Sequence, residues 1–322
     1  MTGLSRFMDP SAARQFCGQR VLVTGGSGFL GRHLVTQGVL AGAEMHCLGR
    51  SPGPAGSEFH QADMCQRDAV HSAVAAIAPA AVIHCAAPGV AYGAVPLADM
   101  LAMAALGTEA LLGACTELPA PPRLVLVGSG FEYRAADHAV NEDWPVIPAS
   151  SYYGAAKAAS ACVAGAFADR LAMTLLRPFH IYGAGEAARR LGPFIIAQAR
   201  AGLPVDLTAC EQRRDFLHVD DCAAMVWAAL GAGDLAPGLA INNLGSGQPI
   251  ALRQFVEALV AELAACAIAA DCRIGALPYR AAEPMVSLPD MSRWQARGLR
   301  NARIGLSEGV ADLVAQELAQ CG

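Results

Sequence analysis

Charge is scarce in this chain, and so are basic clusters. Charged residues make up 16% of the 322 positions, the formal net charge is −5, and no extended run of Lys or Arg occurs. Proteins that neutralise a nucleic-acid backbone or an anionic membrane surface need such runs. We therefore expect a small-molecule partner, with no nucleic-acid and no membrane interaction.

Paired cysteines and a secretory leader are also missing. The eleven cysteines are odd in number and contain no C-x-x-C pair, so we predict neither a disulfide framework nor a metal site. Cys47, Cys85 and Cys162 lie in apolar stretches and are interpreted as small core residues. The first twenty residues lack an uninterrupted apolar stretch, so we interpret residues 1–19 as an N-terminal extension and expect a cytoplasmic location.

From Arg20 onward, short β-branched segments alternate with Ala-rich segments of helical length. This alternation is typical of repeated β-α-β units, because parallel strands need a long crossover connection between them. We predict an α/β fold with a Rossmann-type, doubly wound parallel sheet. The predicted strands are 20–24, 44–48, 81–85, 123–127, 173–176 and 240–244, with a short additional strand before Asp63, and the main predicted helices are 28–41, 68–77, 97–115 and 153–170.

Beyond residue 177 the pattern becomes irregular and is interrupted by many prolines. The strand predicted at 240–244 still belongs to the sheet. We therefore predict a Rossmann domain from 20–181 plus about 215–248, and a smaller, discontinuous substrate-binding lobe from about 182–214 plus 249–322.

A glycine-rich turn follows the first predicted strand and leads into a helix, with Gly25, Gly28 and Gly31 in a G-x-x-G-x-x-G pattern. The first glycine permits the sharp turn, the second lets a pyrophosphate approach the backbone, and the third lets the helix pack closely on the strand. This context predicts a dinucleotide site. Its predicted residues here are Gly25, Ser27, Gly28, Phe29, Leu30 and Gly31.

The second predicted strand ends in Leu48-Gly49-Arg50-Ser51, where an NAD-selecting site carries an acidic residue. Arg50 suits the 2′-phosphate of NADP, which it can bind with two hydrogen bonds. An ordinary exposed arginine is the alternative, so NAD stays possible. Asp63, beside Met64, is placed to accept from the adenine amino group, or else simply precedes a helix.

Tyr153 and Lys157 are four residues apart in a predicted helix and so share one face. A nearby ammonium and an oxidised nicotinamide both favour the phenolate, which predicts a proton-exchanging tyrosine. Upstream, Ser129 follows a predicted strand at the carboxyl edge of the sheet, where it can polarise a substrate carbonyl. These three residues are the predicted catalytic set.

The order of these motifs resembles the extended short-chain dehydrogenases/reductases, in the NAD-dependent epimerase/dehydratase family. The sequences Val82-Ile83-His84-Cys85-Ala86-Ala87 and Leu176-Arg177-Pro178-Phe179-His180-Ile181-Tyr182-Gly183 resemble further family segments. The resemblance implies cofactor contacts from Met64, Ala86, Ala87, Tyr153, Lys157, Pro178 and His180, and substrate contacts from Ser129, Gly130, Phe131, His180, Arg214 and Arg280, with the two arginines clamping a nucleotide diphosphate.

The resemblance also narrows the reaction. Family dehydratases place carboxylates directly after the serine position, where this chain has Gly130 and Phe131. We therefore expect NADPH-dependent reduction of a keto group on a nucleotide-linked deoxysugar, in a homodimer. An NAD-dependent nucleotide-sugar epimerase and a non-catalytic NADP-binding protein are the alternatives. His180 replaces an asparagine of the epimerases, either to bind the substrate or only to fill space.

Overall fold

The computed structural model describes residues 7–87, 95–148, 151–232, 236–281 and 283–319. Its strands are β1 (Arg20–Thr24), β2 (Glu44–Gly49), β3 (Ser57–Gln61), β4 (Ala81–His84), β5 (Arg123–Val127), β6 (Ala139–Val140), β7 (Ala172–Pro178), β8 (His180–Tyr182), β9 (Val205–Leu207), β10 (Arg213–His218), β11 (Gly238–Leu244), β12 (Pro249–Ala251), β13 (Cys272–Ile274) and β14 (Val286–Pro289). Its α-helices are α1 (Phe29–Leu40), α2 (Arg67–Ile77), α3 (Leu97–Thr116), α4 (Tyr152–Gly165), α5 (Leu191–Arg200), α6 (Val219–Ala232), α7 (Leu252–Ala265), α8 (Ser292–Ala296) and α9 (Leu306–Ala319).

Seven of these strands form one parallel sheet in the order β11-β7-β5-β4-β1-β2-β3. The predicted doubly wound Rossmann-type fold is confirmed. The chain moves outward from β1 in one direction through β2 and β3, and in the other through β4, β5, β7 and β11. The strand order therefore reverses between β1 and β4, and ligands of such sheets bind at the carboxyl ends beside that point.

The predicted strand bounds agree with the structure within one or two residues, but the predicted helix 153–170 is too long. α4 ends at Gly165, and the next three backbone N–H groups donate three residues back, as Ala166 to Val163, Phe167 to Ala164 and Ala168 to Gly165. Glycine is a weak helix former, and such tightened turns are common where a helix ends. The chain then enters β7.

Two apolar cores cover the two faces of the sheet. On one face α1 and α6 pack together around the fully buried Trp227, and on the other α2, α3 and α4 pack side by side. By length and composition α3 is apolar enough to cross a membrane, but half of that stretch is buried inside the fold. Its packing between α2 and α4 is that of a core helix.

Residues 7–19 of the expected N-terminal extension pack against the sheet domain. Their 3₁₀ helix, Pro10–Phe16, buries Ala13 and Phe16 in the core formed by α1 and α6, and the Phe16 ring lies 5.6 Å from Trp227. Asp9 caps this helix and pairs with Arg300. The described part of the extension therefore belongs to the hydrophobic core.

A third core joins chain segments before and after α6. It contains α5, α7 and α9, and the Phe216 and Phe255 rings stack in it at 4.4 Å. The segment 249–322, expected to lie wholly in the smaller lobe, does not do so, because Met291 and Trp294 join the core beside α1 and α6. The helix that carries Trp294, α8, packs on β11.

The ten cysteines in the described ranges are free. Cys47 is buried, as expected, but Cys85 is only partly buried and Cys162 is exposed. The apolar surroundings of Cys162 in the sequence come from helix neighbours that point inward, while its own position on α4 faces outward.

Candidate active site

A cleft lies across the carboxyl ends of the four neighbouring strands β1 to β4. Its wall combines the glycine turn after β1, the end of β2, the segment after β3 and the segment after β4. The lining residues are Gly25, Gly26, Ser27, Gly28, Leu48, Gly49, Arg50, Ser51, Ala62, Asp63, Met64, Cys85, Ala86, Ala87 and Met103. Eight predicted cofactor residues are among them, namely Gly25, Ser27, Gly28, Arg50, Asp63, Met64, Ala86 and Ala87.

The glycine turn explains the shape of this cleft. Gly25 has φ of +72°, and a Cβ there would lie 2.8 Å from the backbone nitrogen of Ala86. A Cβ on Gly31 would overlap the carbonyl oxygen of Gly25. The turn, the start of α1 and the end of β4 therefore approach one another at distances that side chains would prevent.

Phe29, Leu30 and Gly31 stand on the first turn of α1, behind the cleft wall. The Leu30 side chain is buried in the core, and Gly31, which has no side chain, packs on the turn, so neither residue lines the cleft. Gly28 is the N-cap and supplies no side-chain cap. The first backbone N–H groups of the helix therefore point toward the cleft and favour an anion such as a pyrophosphate.

Arg50 and Asp63 stand at the outer end of the cleft, and both are exposed. Among the residues that the structure describes, no ion pair engages the Arg50 guanidinium, which remains available to an anion. The Asp63 carboxylate accepts from the backbone nitrogen of Cys65 at 3.0 Å. This bond shapes the turn before α2, so the residue has a structural task whether or not it contacts an adenine.

A buried polar chain connects the cleft to the helix of the predicted catalytic tyrosine. His84 Nδ1 lies 2.7 Å from the Thr24 hydroxyl and its Nε2 lies 3.0 Å from the Thr108 hydroxyl, which in turn lies 2.7 Å from the Ser160 hydroxyl. Burial lowers the pKa of His84 to about 3, so the imidazole is neutral. The chain ties β1, β4, α3 and α4 together without adding charge.

Ser129 follows β5 and caps a 3₁₀ helix, Gly130–Glu132. Its hydroxyl accepts from the Phe131 nitrogen at 3.1 Å, and the Glu132 carboxylate accepts from the Ser129 nitrogen at 2.7 Å. Glu132 is fully buried and also pairs with Arg177 at 2.7 Å. Glu132 is therefore a structural residue that holds Ser129 in place.

Tyr153 and Lys157 lie in the first two turns of α4, and Lys157 is the only lysine in the sequence. The ammonium donates to the carbonyl oxygen of Val127 at 2.6 Å and lies 6.0 Å from the centre of the Tyr153 ring. The pair thus shares one face, as predicted, but the ammonium is hydrogen-bonded to β5 and not to the phenol.

Burial acts against the phenolate form of Tyr153. Burial raises the pKa of Tyr153 above its usual range, and the Glu132 charge adds to the shift, while the Arg190 charge and the Ser129 side chain oppose it. Burial likewise lowers the pKa of Lys157. Desolvation therefore opposes the effect that is expected from the ammonium and an oxidised nicotinamide. The phenol is therefore protonated at neutral pH.

Gly130 and Phe131 supply no carboxylate that could act on a substrate beside Ser129, and the one nearby carboxylate, Glu132, is fully buried and paired with Arg177. A Cβ on Gly130 would lie 2.8 Å from the Phe179 ring, so this position has no room for an acidic side chain. The Phe131 ring meets the Tyr153 ring edge-on at 6.3 Å and the His180 ring at 6.0 Å. An apolar ring therefore occupies the space between the tyrosine and His180.

His180 follows β7 and hydrogen-bonds to the Ser287 hydroxyl at 3.1 Å. Burial, helped by the charges of Arg214 and Arg190, lowers the pKa of His180 to about 3. The imidazole is therefore neutral and oriented by its partner. Pro178, two residues earlier, is buried at the end of β7 and does not line the cleft.

The substrate side is here defined as Phe131, His180, Arg190, Arg214 and Ser287, and three arginines are considered in relation to it. Arg214 is nearly buried and donates to the carbonyl oxygens of Arg213 and Pro284 at 2.9 and 2.6 Å. Arg280 is exposed, and its carbonyl oxygen accepts from the Glu283 nitrogen at 3.1 Å. The third, Arg190, was missed by sequence reasoning.

Arg190 precedes α5, and its charge acts on both Tyr153 and His180. The adjacent Arg189 and Arg190 were the available signal, but nothing in the sequence places them near the tyrosine. Cys85 and Met103 of the cleft wall were missed as well. Cys85 directly precedes Ala86, a predicted cofactor contact, and the same segment after β4 could have indicated it. Met103 reaches the cleft from α3, and no sequence motif marks it.

Residues 21–245 match the family model described as the NAD dependent epimerase/dehydratase family. The match spans most of the chain and includes the glycine turn, Ser129, Tyr153 and Lys157. The chain belongs to this family.

Individual relatives differ in what they act on. A dTDP-6-deoxy-L-talose 4-dehydrogenase (NAD(P)(+)) of Kitasatospora kifunensis is 29% identical over 256 residues, 76% of this chain and 79% of that protein. A 2-alkyl-3-oxoalkanoate reductase of Stenotrophomonas maltophilia is 29% identical over 260 residues, 76% of each chain. The structure of MoeE5 in complex with UDP-glucuronic acid and NAD has 28% identity and a TM-score of 0.80, covering 94% of this chain and 99% of that chain.

Proposed function

We propose that this protein is an NADPH-dependent reductase of a keto group on a nucleotide-linked deoxysugar, with Tyr153 as the proton donor. One observation carries the choice of reaction. Gly130 is packed against Phe179, and Phe131 fills the space between Tyr153 and His180. Elimination of water needs a carboxylate at this place, whereas reduction needs only a hydride donor and a proton donor.

The cleft fits a dinucleotide because its closest approaches are made by backbone. Gly25 and Gly31 exclude side chains from the turn, and the uncapped start of α1 presents N–H groups to a pyrophosphate. Arg50 adds an exposed cation where an NAD-selecting acid is expected, which supports NADPH over NADH. NADPH, when bound, supplies the hydride.

The protonation states support the reductive direction. The raised pKa of Tyr153 keeps the phenol protonated, so that it can donate a proton to a carbonyl oxygen as that oxygen gains negative charge. In this proposal Ser129, whose backbone nitrogen donates to Glu132, gives a hydrogen bond to the same oxygen. Lys157, which donates to the Val127 carbonyl oxygen, binds ribose hydroxyls of the cofactor.

The substrate side carries two arginines that can bind an anionic substrate. The charges of Arg190 and Arg214 both act on the neutral His180. Each arginine is paired with an acid, Arg190 with Glu186 at 2.9 Å and Arg214 with Glu283 at 3.5 Å, and in this proposal a diphosphate replaces these carboxylates. Arg280 remains a predicted second clamp on the exposed turn. The similarity to a deoxysugar nucleotide dehydrogenase and to MoeE5, which was solved with a UDP-sugar, supports the same substrate class.

The proposal is tested by following NADPH oxidation with a panel of nucleotide-linked keto-deoxysugars, with a 2-alkyl-3-oxoalkanoate as the comparison substrate. We expect turnover with at least one nucleotide sugar and faster turnover with NADPH than with NADH. Tightly bound NAD that persists through purification, together with sugar interconversion and no net NADPH consumption, would identify an epimerase. NADPH binding without turnover on any substrate would indicate a non-catalytic protein, and turnover of the oxoalkanoate alone would reject the nucleotide-sugar class.

A further inference from the structure

A second group of chemically active side chains lies at the open edge of the central sheet. His46 is on β2, and Glu58 and His60 are on the edge strand β3. In the parallel pairing of these strands, His46 is opposite Glu58 and Leu48 is opposite His60. Because side chains alternate along a strand, all three project from the same face of the sheet.

The three side chains converge on one point. The two ring nitrogens, His46 Nδ1 and His60 Nε2, lie 3.0 Å apart. One oxygen of the Glu58 carboxylate lies 3.6 Å from His46 Nδ1, and the other lies 3.5 Å from His60 Nε2. Nitrogen and oxygen ligands at about 2.0–2.2 Å from a tetrahedral zinc ion are separated from each other by about 3.3–3.6 Å. The two separations that involve the carboxylate fall in this range, and the one between the imidazole nitrogens is shorter.

A hydrogen bond between the two rings accounts for only part of this arrangement. It explains the distance between the imidazole nitrogens, but both distances to the carboxylate are too long for hydrogen bonds of normal strength. The carboxylate nevertheless presents one oxygen to each ring. A cation between the three groups would satisfy both rings and the carboxylate at once.

We propose that His46, Glu58 and His60 form a binding site for one divalent transition-metal ion of the zinc class. Two imidazoles and one carboxylate are a common ligand set for zinc, and such three-residue sites leave the fourth position to water. The exposure agrees, because the side chains of His46 and His60 are 11% and 21% exposed while that of Glu58 is 66% exposed. An ion can therefore enter from solvent and keep a water ligand.

The proposed metal site contains none of the predicted catalytic residues, but two of the strands that form the dinucleotide cleft carry its ligands. β2 continues into Arg50, and β3 continues into Asp63 and Met64 of the cleft wall. A bound ion would tie the edge strand β3 to β2 through side chains as well as through the backbone. We therefore expect it to stabilise the outer, adenosine-binding end of the cleft.

The test uses the full-length protein after treatment with a chelator. Titration with Co²⁺, followed by its visible absorption, reports tetrahedral coordination, and calorimetry with Zn²⁺ gives stoichiometry and affinity. We expect one tight site per chain, weakened at least tenfold in His60→Gln and in Glu58→Gln. His71→Gln is the matched control, because His71 also pairs with an acid, Glu117. This pair joins α2 to the C-terminal end of α3 and includes none of the three proposed ligands. The affinity of the His71→Gln variant for Zn²⁺ should equal that of the unmodified protein.

Two results would overturn the proposal. One is the absence of a tight site in the unmodified protein, and the other is a tight site that survives both His60→Gln and Glu58→Gln, as it would if exposed cysteines bound the ion. Glu58 is exposed, so its replacement leaves the fold intact even if His60→Gln destabilises the edge strand. A rise in the unfolding temperature on adding Zn²⁺ should appear in the control variant and be lost in Glu58→Gln.

Discussion

The dinucleotide cleft and the substrate side are built in different ways. The cleft is made mostly of short segments that directly follow β1, β2, β3 and β4, and its closest contacts are between backbone atoms. The substrate side depends on side chains from distant segments, such as His180 and Ser287, which are 107 positions apart. The first region is therefore specified locally by glycines and strand ends, and the second only by the completed fold.

The two regions also differ in charge. The outer end of the cleft presents Arg50 as an exposed cation, whereas on the substrate side the charges of Arg190 and Arg214 act on the neutral, partly buried His180. Between the two regions stands the pair of Tyr153 and Lys157 on α4. Substitutions in the cleft should therefore affect cofactor binding, and substitutions on the substrate side should affect substrate selection. Only substitutions of Tyr153 and Lys157, between the two regions, should affect both the hydride transfer and the proton transfer.

The largest effect is expected at that junction. Tyr153→Phe removes the proton donor, so kcat for ketone reduction should fall by about 10²–10⁴-fold, which is the usual contribution of a positioned acid. The dissociation constant for NADPH, measured by fluorescence quenching, should change little because the ring and its packing on Phe131 remain. Turnover at the unmodified rate would remove Tyr153 from the acid role.

A substitution at the glycine turn should weaken cofactor binding and lower stability without a direct effect on the substrate side. In Gly31→Ala the new methyl group overlaps the carbonyl oxygen of Gly25, and the strain should lower the free energy of unfolding by about 3 kcal/mol and weaken NADPH binding. Gly165→Ala is the control, because a Cβ at the end of α4 meets nothing. Urea unfolding that shows equal stability for the two variants would contradict the close approach described here.

Arg50→Ser tests the cofactor preference with a smaller expected effect. Losing one charge-assisted contact of about 1.5 kcal/mol should raise KM for NADPH about tenfold and leave KM for NADH nearly unchanged. Arg32→Ser is a matched control, since Arg32 is an exposed arginine on α1 that donates to the carbonyl oxygens of Ser27 and Gly28. Equal changes for both cofactors in Arg50→Ser would show that the arginine does not select the 2′-phosphate.

The smallest effect is a spectroscopic shift. Because Lys157 is the only lysine, isotope labelling of lysine gives a single side-chain ammonium signal, whose position can be followed by NMR as the pH is raised. Burial lowers the pKa of Lys157, so the folded protein should lose this proton at a lower pH than free lysine does. A midpoint at or above that of free lysine would show that the ammonium is not desolvated.

The contrast between the two regions also explains what the sequence could predict. Strand bounds, the glycine turn and the sharing of one face by Tyr153 and Lys157 follow from local patterns, and they agree with the structure. Gly130 and Phe131 were recognised from their position after Ser129. Local patterns also gave errors, since the predicted helix ran past Gly165 and Cys162 was placed in the core.

The remaining features depend on contacts between distant segments. The charge of Arg190 acts on Tyr153 although the two residues belong to different segments of the chain. The protonated state of Tyr153 follows from burial, which a four-residue spacing does not report. His46 and His60 meet because β2 and β3 are paired in one particular register, so no local motif marked them as a metal site.

The most direct test of the account follows the hydride itself. The protein is incubated with a nucleotide-linked keto-deoxysugar and NADPH that carries deuterium at both hydrogen positions of C4 of the nicotinamide, and the sugar product is analysed by mass spectrometry. We expect one deuterium in each product molecule, on the former carbonyl carbon, for each NADPH consumed. Sugar interconversion that leaves the label on the cofactor, with no NADPH consumed, would contradict it.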